Sequence, residues 1–165
     1  MIKTAKVYDA EAYQKLIEQL ESESDFLLYG KSERKSTIEQ VEGLIQKIEK
    51  EENSTIFLSK LNGGVNGHVT VFGGGAPRTL HTANVITGVL KEFHGQGVAK
   101  ELFNRLFQWA EEKGVTRLEL TVMVHNERAV RFYERMGFEK EGVKRQSLMI
   151  NGSPIDEYVM AKILV

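Results

Sequence analysis

At 165 residues the chain has the length of one compact domain, and its 41% hydrophobic and 27% charged fractions exclude a disordered or fibrous protein. The absence of cysteine excludes a disulfide framework, a thiolate nucleophile and a cysteine-based zinc site. A net charge of −1, from 22 basic and 23 acidic residues mixed along the chain, gives little drive for general nucleic-acid binding, and no apolar run is long enough to span a membrane. The expectations are therefore a single domain over residues 1–165, no metal, and no nucleic-acid or membrane partner. The opening MIKTAKVYDAEAYQ reads without an apolar leader, and the expected compartment is the cytoplasm.

Residues 2–8 read as a short strand, and Asp9 as the N-cap of a helix whose apolar face carries Ala12, Leu16, Ile17 and Leu20. The following loop, SDFLLYGKSER, holds Phe26, Leu27, Leu28 and Tyr29 either as anchors that dock the helix or as the wall of a pocket. Ser36-Thr37-Ile38-Glu39 has capping-box spacing and opens a second helix with Ile38, Val41, Ile45 and Ile48 on one face. From Ser54 the texture becomes β-branched and aromatic. STIFLSKL, a turn at Asn62-Gly63-Gly64 and VNGHVTVF form a hairpin, and Thr79 to Leu90 a third consecutive strand after the turn at Gly73–Pro77.

A long amphipathic helix follows Gly95 and Gly97, with Ala99, Leu102, Phe103, Leu106 and Ala110 on one face and a stop near Gly114. Arg117 to Val124 alternates as a strand, and Glu127 to Met136 is a shorter helix ending at Gly137. Two strand-like stretches, Phe138 to Ile150 and Ile155 to Val165, flank the turn Asn151-Gly152-Ser153-Pro154. The fold class is mixed α/β in the order β-αα-βββ-α-β-α-ββ, without repeats or low-complexity linkers.

The richest segment is VITGVLKEFHGQGVAKELFNRLFQWAEEKG. A strand ends, two glycines stand one residue apart, and a helix begins at once. Unpaired N–H groups and the partial positive charge at a helix start suit a pyrophosphate, and glycine lets it approach the backbone. An ordinary strand-to-helix turn would use glycine in the same places. GQGVAK is not GxGxxG, since Lys100 stands where the third glycine belongs, and no GxxxxGK[ST] occurs.

HGQGVA followed by KELFNRLFQWA resembles the acyl-CoA-binding motif of GNAT acyltransferases, Q/R-x-x-G-x-G/A, which lies between their fourth strand and third helix. Gly97 and Ala99 match, whereas His94 stands where the family has Gln or Arg. A neutral imidazole offers one donor where arginine offers five, although a neighbouring pyrophosphate would favour the protonated ring. Downstream, HNERAVRFYERMGFEKEG resembles the second family signature, with Asn126, Ala129, Tyr133 and Gly137-Phe138 in matching positions, and SLMINGSPIDEYVMAKIL is similar to the last hairpin of a subfamily.

The resemblance implies a GNAT-like mixed sheet splayed at its fourth strand, acetyl-CoA as cosubstrate, and acetyl transfer to a small-molecule or peptide amine. The coenzyme site it implies comprises Val89, Leu90, His94, Gly95, Gln96, Gly97, Val98, Ala99, Lys100, Asn126, Phe132 and Tyr133. Asn126 caps its helix and, in the family, touches the pantetheine arm. Tyr133 either packs in the core or is the family's tyrosine that gives a proton to the departing thiolate. A backbone N–H around Val89-Leu90 is expected to stabilise the oxyanion. The family's habit of dimerising makes a homodimer one expectation. The rival reading is a domain that binds acyl-CoA as a sensor or scaffold without turnover.

The general base is less legible. The strand HTANVITGV carries no carboxylate, and Glu119 on the next strand, on one face with Thr121, is the leading candidate, unless it is a salt-bridged surface glutamate. His81 and His125 are weaker ones. Freeing a lysine amine at pH 7 costs about 4.6 kcal/mol and an α-amine about 1 kcal/mol. A site with a weak base therefore favours an α-amine, as on an amino acid or a peptide N-terminus. The substrate pocket is expected between the first two helices, their loop and the final hairpin, lined by Phe26, Tyr29, Glu33 and Ser147.

Overall fold

In the computed structural model, which describes residues 1–165, the chain runs through β1 (Ile2–Thr4), α1 (Ala10–Glu23), α2 (Ile38–Lys50), β2 (Thr55–Leu61), β3 (Gly64–Gly73), β4 (Thr82–Val89), α3 (Val98–Lys113), β5 (Arg117–Met123), α4 (Glu127–Arg135), β6 (Glu139–Ile150) and β7 (Ser153–Ile163). The element order is the expected one. Seven strands form one sheet, β1-β2-β3-β4-β5-β7-β6, antiparallel except where β4 and β5 run parallel.

Alternation along the strands sorts side chains between two cores. Phe57, Val69, Val71, Leu118, Leu120 and Met160 face one side, where they bury the apolar stripe of α3 (Leu102, Phe103, Leu106, Ala110) and Val130 of α4. Ile56 and Leu58 face the other side and pack on Tyr13 of α1 and Val41, Ile45 and Ile48 of α2. α1 lies close on β4: a Cβ at Gly88 would stand 2.8 Å from a Leu20 methyl. Only the β1–β4 half of this second face is covered in this way. Toward β5 the cover thins, with Ile86 of β4 46% exposed and Thr121 of β5 exposed, while Met123 at the end of β5 is buried.

The parallel pair is short. Thr82, Ala83 and Asn84 pair with Arg117, Leu118 and Glu119. From there β4 follows β3 to Val89, while β5 follows β7 to Met123. The expected splay is present, and a wedge-shaped gap opens toward the C-terminal ends of β4 and β5.

Local expectations shift in four places. The opening strand is three residues long and passes into a 3-10 turn at Val7–Asp9. Asp9 does not cap α1 with its side chain; its buried carboxylate accepts the Lys6 N–H at 2.8 Å and pairs with Lys3 at 2.7 Å. The capping box falls one residue later, on Thr37 and Gln40, and the Ser36 carbonyl accepts from the Gln14 side-chain amide. The third strand begins at Thr82 after a 3-10 turn at Pro77–Thr79, and Ser153 and Pro154 belong to β7. At the outer edge β6 is exposed for most of its length, and its register with β7 shifts between Lys140 and Gly142 and again between Lys144 and Leu148.

Candidate active site

Successive N–H groups of a strand point to opposite edges. The Leu90 N–H reaches back to the Asn66 carbonyl at 2.9 Å, so those of Thr87 and Val89 point the other way, into the gap between β4 and β5. Of the two residues expected to supply an oxyanion donor, Val89 is therefore oriented for it and Leu90 is not. Past Leu90 a 3-10 turn, Lys91–Phe93, leads to the glycine loop.

Gly95 (φ 77°) and Gly97 (φ 81°) both take the left-handed conformation, and a Cβ at either would meet nothing within 4 Å. They bend the backbone into an open cradle at the first turn of α3, whose first intrahelical bond runs from Glu101 N–H to Gly97 C=O. The N–H groups of Val98, Ala99 and Lys100 precede that bond and lie among those a helix leaves unpaired. His94, Gly95, Gln96, Gly97 and Lys100 are exposed. The cradle fits a diphosphate.

His94 forms a bridge across the mouth of the gap. Its Nε2–H donates to the Val89 carbonyl at 2.8 Å, and its Nδ1 accepts from Arg128 Nη1 at 2.9 Å. An arginine from the first turn of α4 thus stands beside the loop position where the family pattern has Gln or Arg. Sequence reasoning missed Arg128, although it stands two residues after Asn126.

On the far side of the gap the Asn126 side chain accepts from Ala129 N–H at 3.4 Å and caps α4. Tyr133 sits one turn further, its ring within 6 Å of the rings of Phe103, Phe132 and Phe138. Phe132 stands edge-on to Phe103 at 5.2 Å. Burial pushes the Tyr133 hydroxyl up to about 12, so it keeps its proton throughout the neutral range.

The acceptor-side candidates are dispersed. Glu119 accepts from Arg117 Nε at 2.9 Å, and Arg117 also holds Glu141. It pairs in register with Asn84, five residues short of Val89, or roughly 16 Å along a strand. The salt-bridged alternative is the one observed, and Glu119 is not at the open end. His81 lies just before β4, at the closed end.

The Phe26 ring lies tilted against that of His125, just past the end of β5, at 5.2 Å between ring centres. Leu27 packs with Leu16, Leu20 and Leu90. Tyr29 lies under the Arg34 guanidinium and Glu33 accepts the Gly30 N–H, so both serve the loop itself. Ser147 donates to Glu157 Oε1 at 2.8 Å, which brings into view a carboxylate absent from the sequence-derived candidates. No helix is long and apolar enough to cross a membrane.

The profile of the Acetyltransferase (GNAT) family matches residues 13–138. The L-amino acid N-acetyltransferase AaaT of Escherichia coli (strain K12) is 34% identical over 104 residues, an alignment that spans 62% of this chain and 64% of AaaT, less than two thirds of either. A solved acetyltransferase of the GNAT family from Streptococcus pneumoniae superposes with a TM-score of 0.95 at 28% identity, over 99% of both chains. A GNAT superfamily phosphinothricin acetyltransferase from Sinorhizobium meliloti in complex with AcCoA gives 0.87 at 13% identity, covering 99% of this chain and 88% of that one, a likeness of fold alone.

Proposed function

This chain belongs to the acetyltransferase (GNAT) family, and we propose that, as one domain over residues 1–165, it transfers an acetyl group from acetyl-CoA to an α-amine of an amino acid or peptide. The observation that carries the reading is the gap between β4 and β5. The Thr87 and Val89 amides face it, the glycine cradle lies at its mouth, and Tyr133 comes from α4 on the opposite bank.

In this reading the N–H groups opening α3, with Arg128 beside them, hold the diphosphate of the coenzyme. The Val89 N–H takes up negative charge on the thioester oxygen as the amine attacks. The Tyr133 hydroxyl hydrogen-bonds to the sulfur as the C–S bond breaks and gives it a proton. Attack is direct, since the amine is itself the nucleophile. The likeness to the E. coli L-amino acid N-acetyltransferase supports an α-amine acceptor.

Release of free CoA from acetyl-CoA is the test, run with L-amino acids, dipeptides and polyamines as amines. L-Amino acids or dipeptides should react best, and Tyr133→Phe should lower kcat by about a hundredfold while CoA affinity measured by calorimetry holds. Preference for polyamines would overturn the acceptor. Saturable CoA binding with no turnover on any amine would leave a binding domain in place of an enzyme.

A further inference from the structure

We propose that Glu157 of β7 holds the incoming ammonium group and takes its proton. The inference rests on the acetyl-transfer reading above and fills the place of general base from which the geometry removes Glu119.

Level in the sheet comes first. Thr82 pairs with Arg117, and both strands advance in parallel, so Met123, six residues beyond Arg117, stands level with Gly88, next to Val89. Met123 pairs with Glu157 across the β5–β7 ladder. Glu157 thus lies at the height where the Val89 N–H faces the gap, whereas Glu119 lies at the height of Asn84, where the strands are still joined.

Orientation follows from alternation. Tyr158 and Met160 pack into the core beneath α3 and α4, so Glu157 points to the opposite face. Gly88 turns to that face too, since its absent side chain would meet Leu20 of α1. On this face Thr121 is exposed, Met123 opposite Glu157 is buried, and Glu157 itself is half-buried.

The carboxylate is also uncommitted. None of the ion pairs includes it: Glu119 and Glu141 are held by Arg117, and Glu21 by Arg34. Its one hydrogen bond is the Ser147 hydroxyl on Oε1, which leaves Oε2 for a ligand. Lys144, its partner across the hairpin, makes no ion pair with it, and the adjacent Asp156 has its Oδ1 occupied by the Gln146 N–H. Ser147 is then a positioning residue that fixes the carboxylate.

The proton balance is complete. One proton passes from the ammonium group to Glu157 and on to solvent, leaving the nitrogen lone pair free to form the C–N bond. The second nitrogen proton is lost as the C–S bond breaks and replaces the one Tyr133 has given the sulfur. Net products are the amide, free CoA and one proton.

The test is Glu157→Gln, which keeps an acceptor for Ser147 and removes the base. With acetyl-CoA and L-alanine, L-phenylalanine or alanyl-alanine, kcat/KM at neutral pH should fall by about a hundredfold. The loss should shrink steadily above pH 8 as the amine sheds its own proton, while calorimetric CoA affinity and the melting temperature stay at wild-type values. Glu157→Asp, which moves the carboxylate without removing it, should lie between the two. Wild-type kcat/KM and pH profile in Glu157→Gln would overturn the assignment, as would a loss that alkali does not relieve. So would transfer of the pH signature to Glu119→Gln. A wild-type enzyme inert toward every amine would instead sink the acetyl-transfer reading itself.

Discussion

His68, 3% exposed on β3, is the titratable side chain most at odds with its surroundings. Its Nδ1 shares a hydrogen bond with the Thr70 hydroxyl at 2.9 Å, which in turn meets the Tyr13 hydroxyl at 2.8 Å. Burial, with the Arg34 charge adding to it, pushes its pKa down from 6.5 to about 4. Because the unfolded chain takes up a proton near pH 6.5 and the folded one near pH 4, stability is whole above the first value and drains away as pH falls toward the second. Urea unfolding at pH 7 and pH 5 should show a loss of about 2 kcal/mol from this group. In His68→Gln that loss should be absent; equal acid sensitivity in both proteins would count against the burial argument. Asp9 contributes in a lower range, since its carboxyl, which burial alone would raise, is held below 3.8 by Lys3, the Lys6 N–H and Lys60, and its stabilisation is lost only as pH falls through that lowered value. Single residues with local signatures were named beforehand: Gly97 from its place before a helix, Asn126 from its capping position, Tyr133 from its place in the second family signature. Glu157 was not. The alternation of Ile155 to Lys162 puts it on the face away from Tyr158, but only the pairing with Met123 brings it to the gap, and strand register leaves no mark in one sequence.

Secondary-structure elements meet at the site in a way no single segment announces. α4 and the loop before α3 are joined by the Arg128–His94–Val89 bridge, which links the two sequence signatures. Arg128→Ala should weaken CoA binding by about tenfold, as expected for loss of a charged hydrogen bond, and should flatten the salt dependence of affinity. Arg128→Ala combined with His94→Arg should recover most of it, and an Arg128→Ala protein that binds CoA as wild type would show that the bridge serves the fold alone. The loop after α1 ties across the same region. Glu23 accepts the Lys91 N–H, Leu27 packs with Leu90, and Phe26 lies tilted against His125. Leu27 is thus a docking anchor, one of the two readings of this loop. Helix and strand existence followed from periodicity, whereas the ends shifted by a residue or more, as at the start of α2, where Thr37 rather than Ser36 is the cap.

For the molecule as a whole, the two cores account for the architecture and the gap between β4 and β5 accounts for the site. The order of elements could be read along the chain because each has its own period. The sheet order β5-β7-β6 and the parting of β4 from β5 could not, since both depend on contacts between distant segments. A ligand seated in the gap would join strands that the sheet leaves unpaired, so binding should raise the stability of the entire fold. At CoA concentrations 100-fold above Kd the gain is about 2.7 kcal/mol, which corresponds to a rise in Tm of roughly 5–10 °C for a chain of this size. A scan with CoA and with inorganic phosphate checks this, and an unmoved Tm at saturating CoA would contradict it. The outer border of the sheet works in the opposite sense. The two breaks in β6 and its lysines interrupt what would otherwise be a continuous row of free backbone donors and acceptors, and such a border is a poor template for a strand from another chain to copy. Straightening it by deleting the extra residues between Lys144 and Leu148 would create a sticky rim and, with it, a route to filaments.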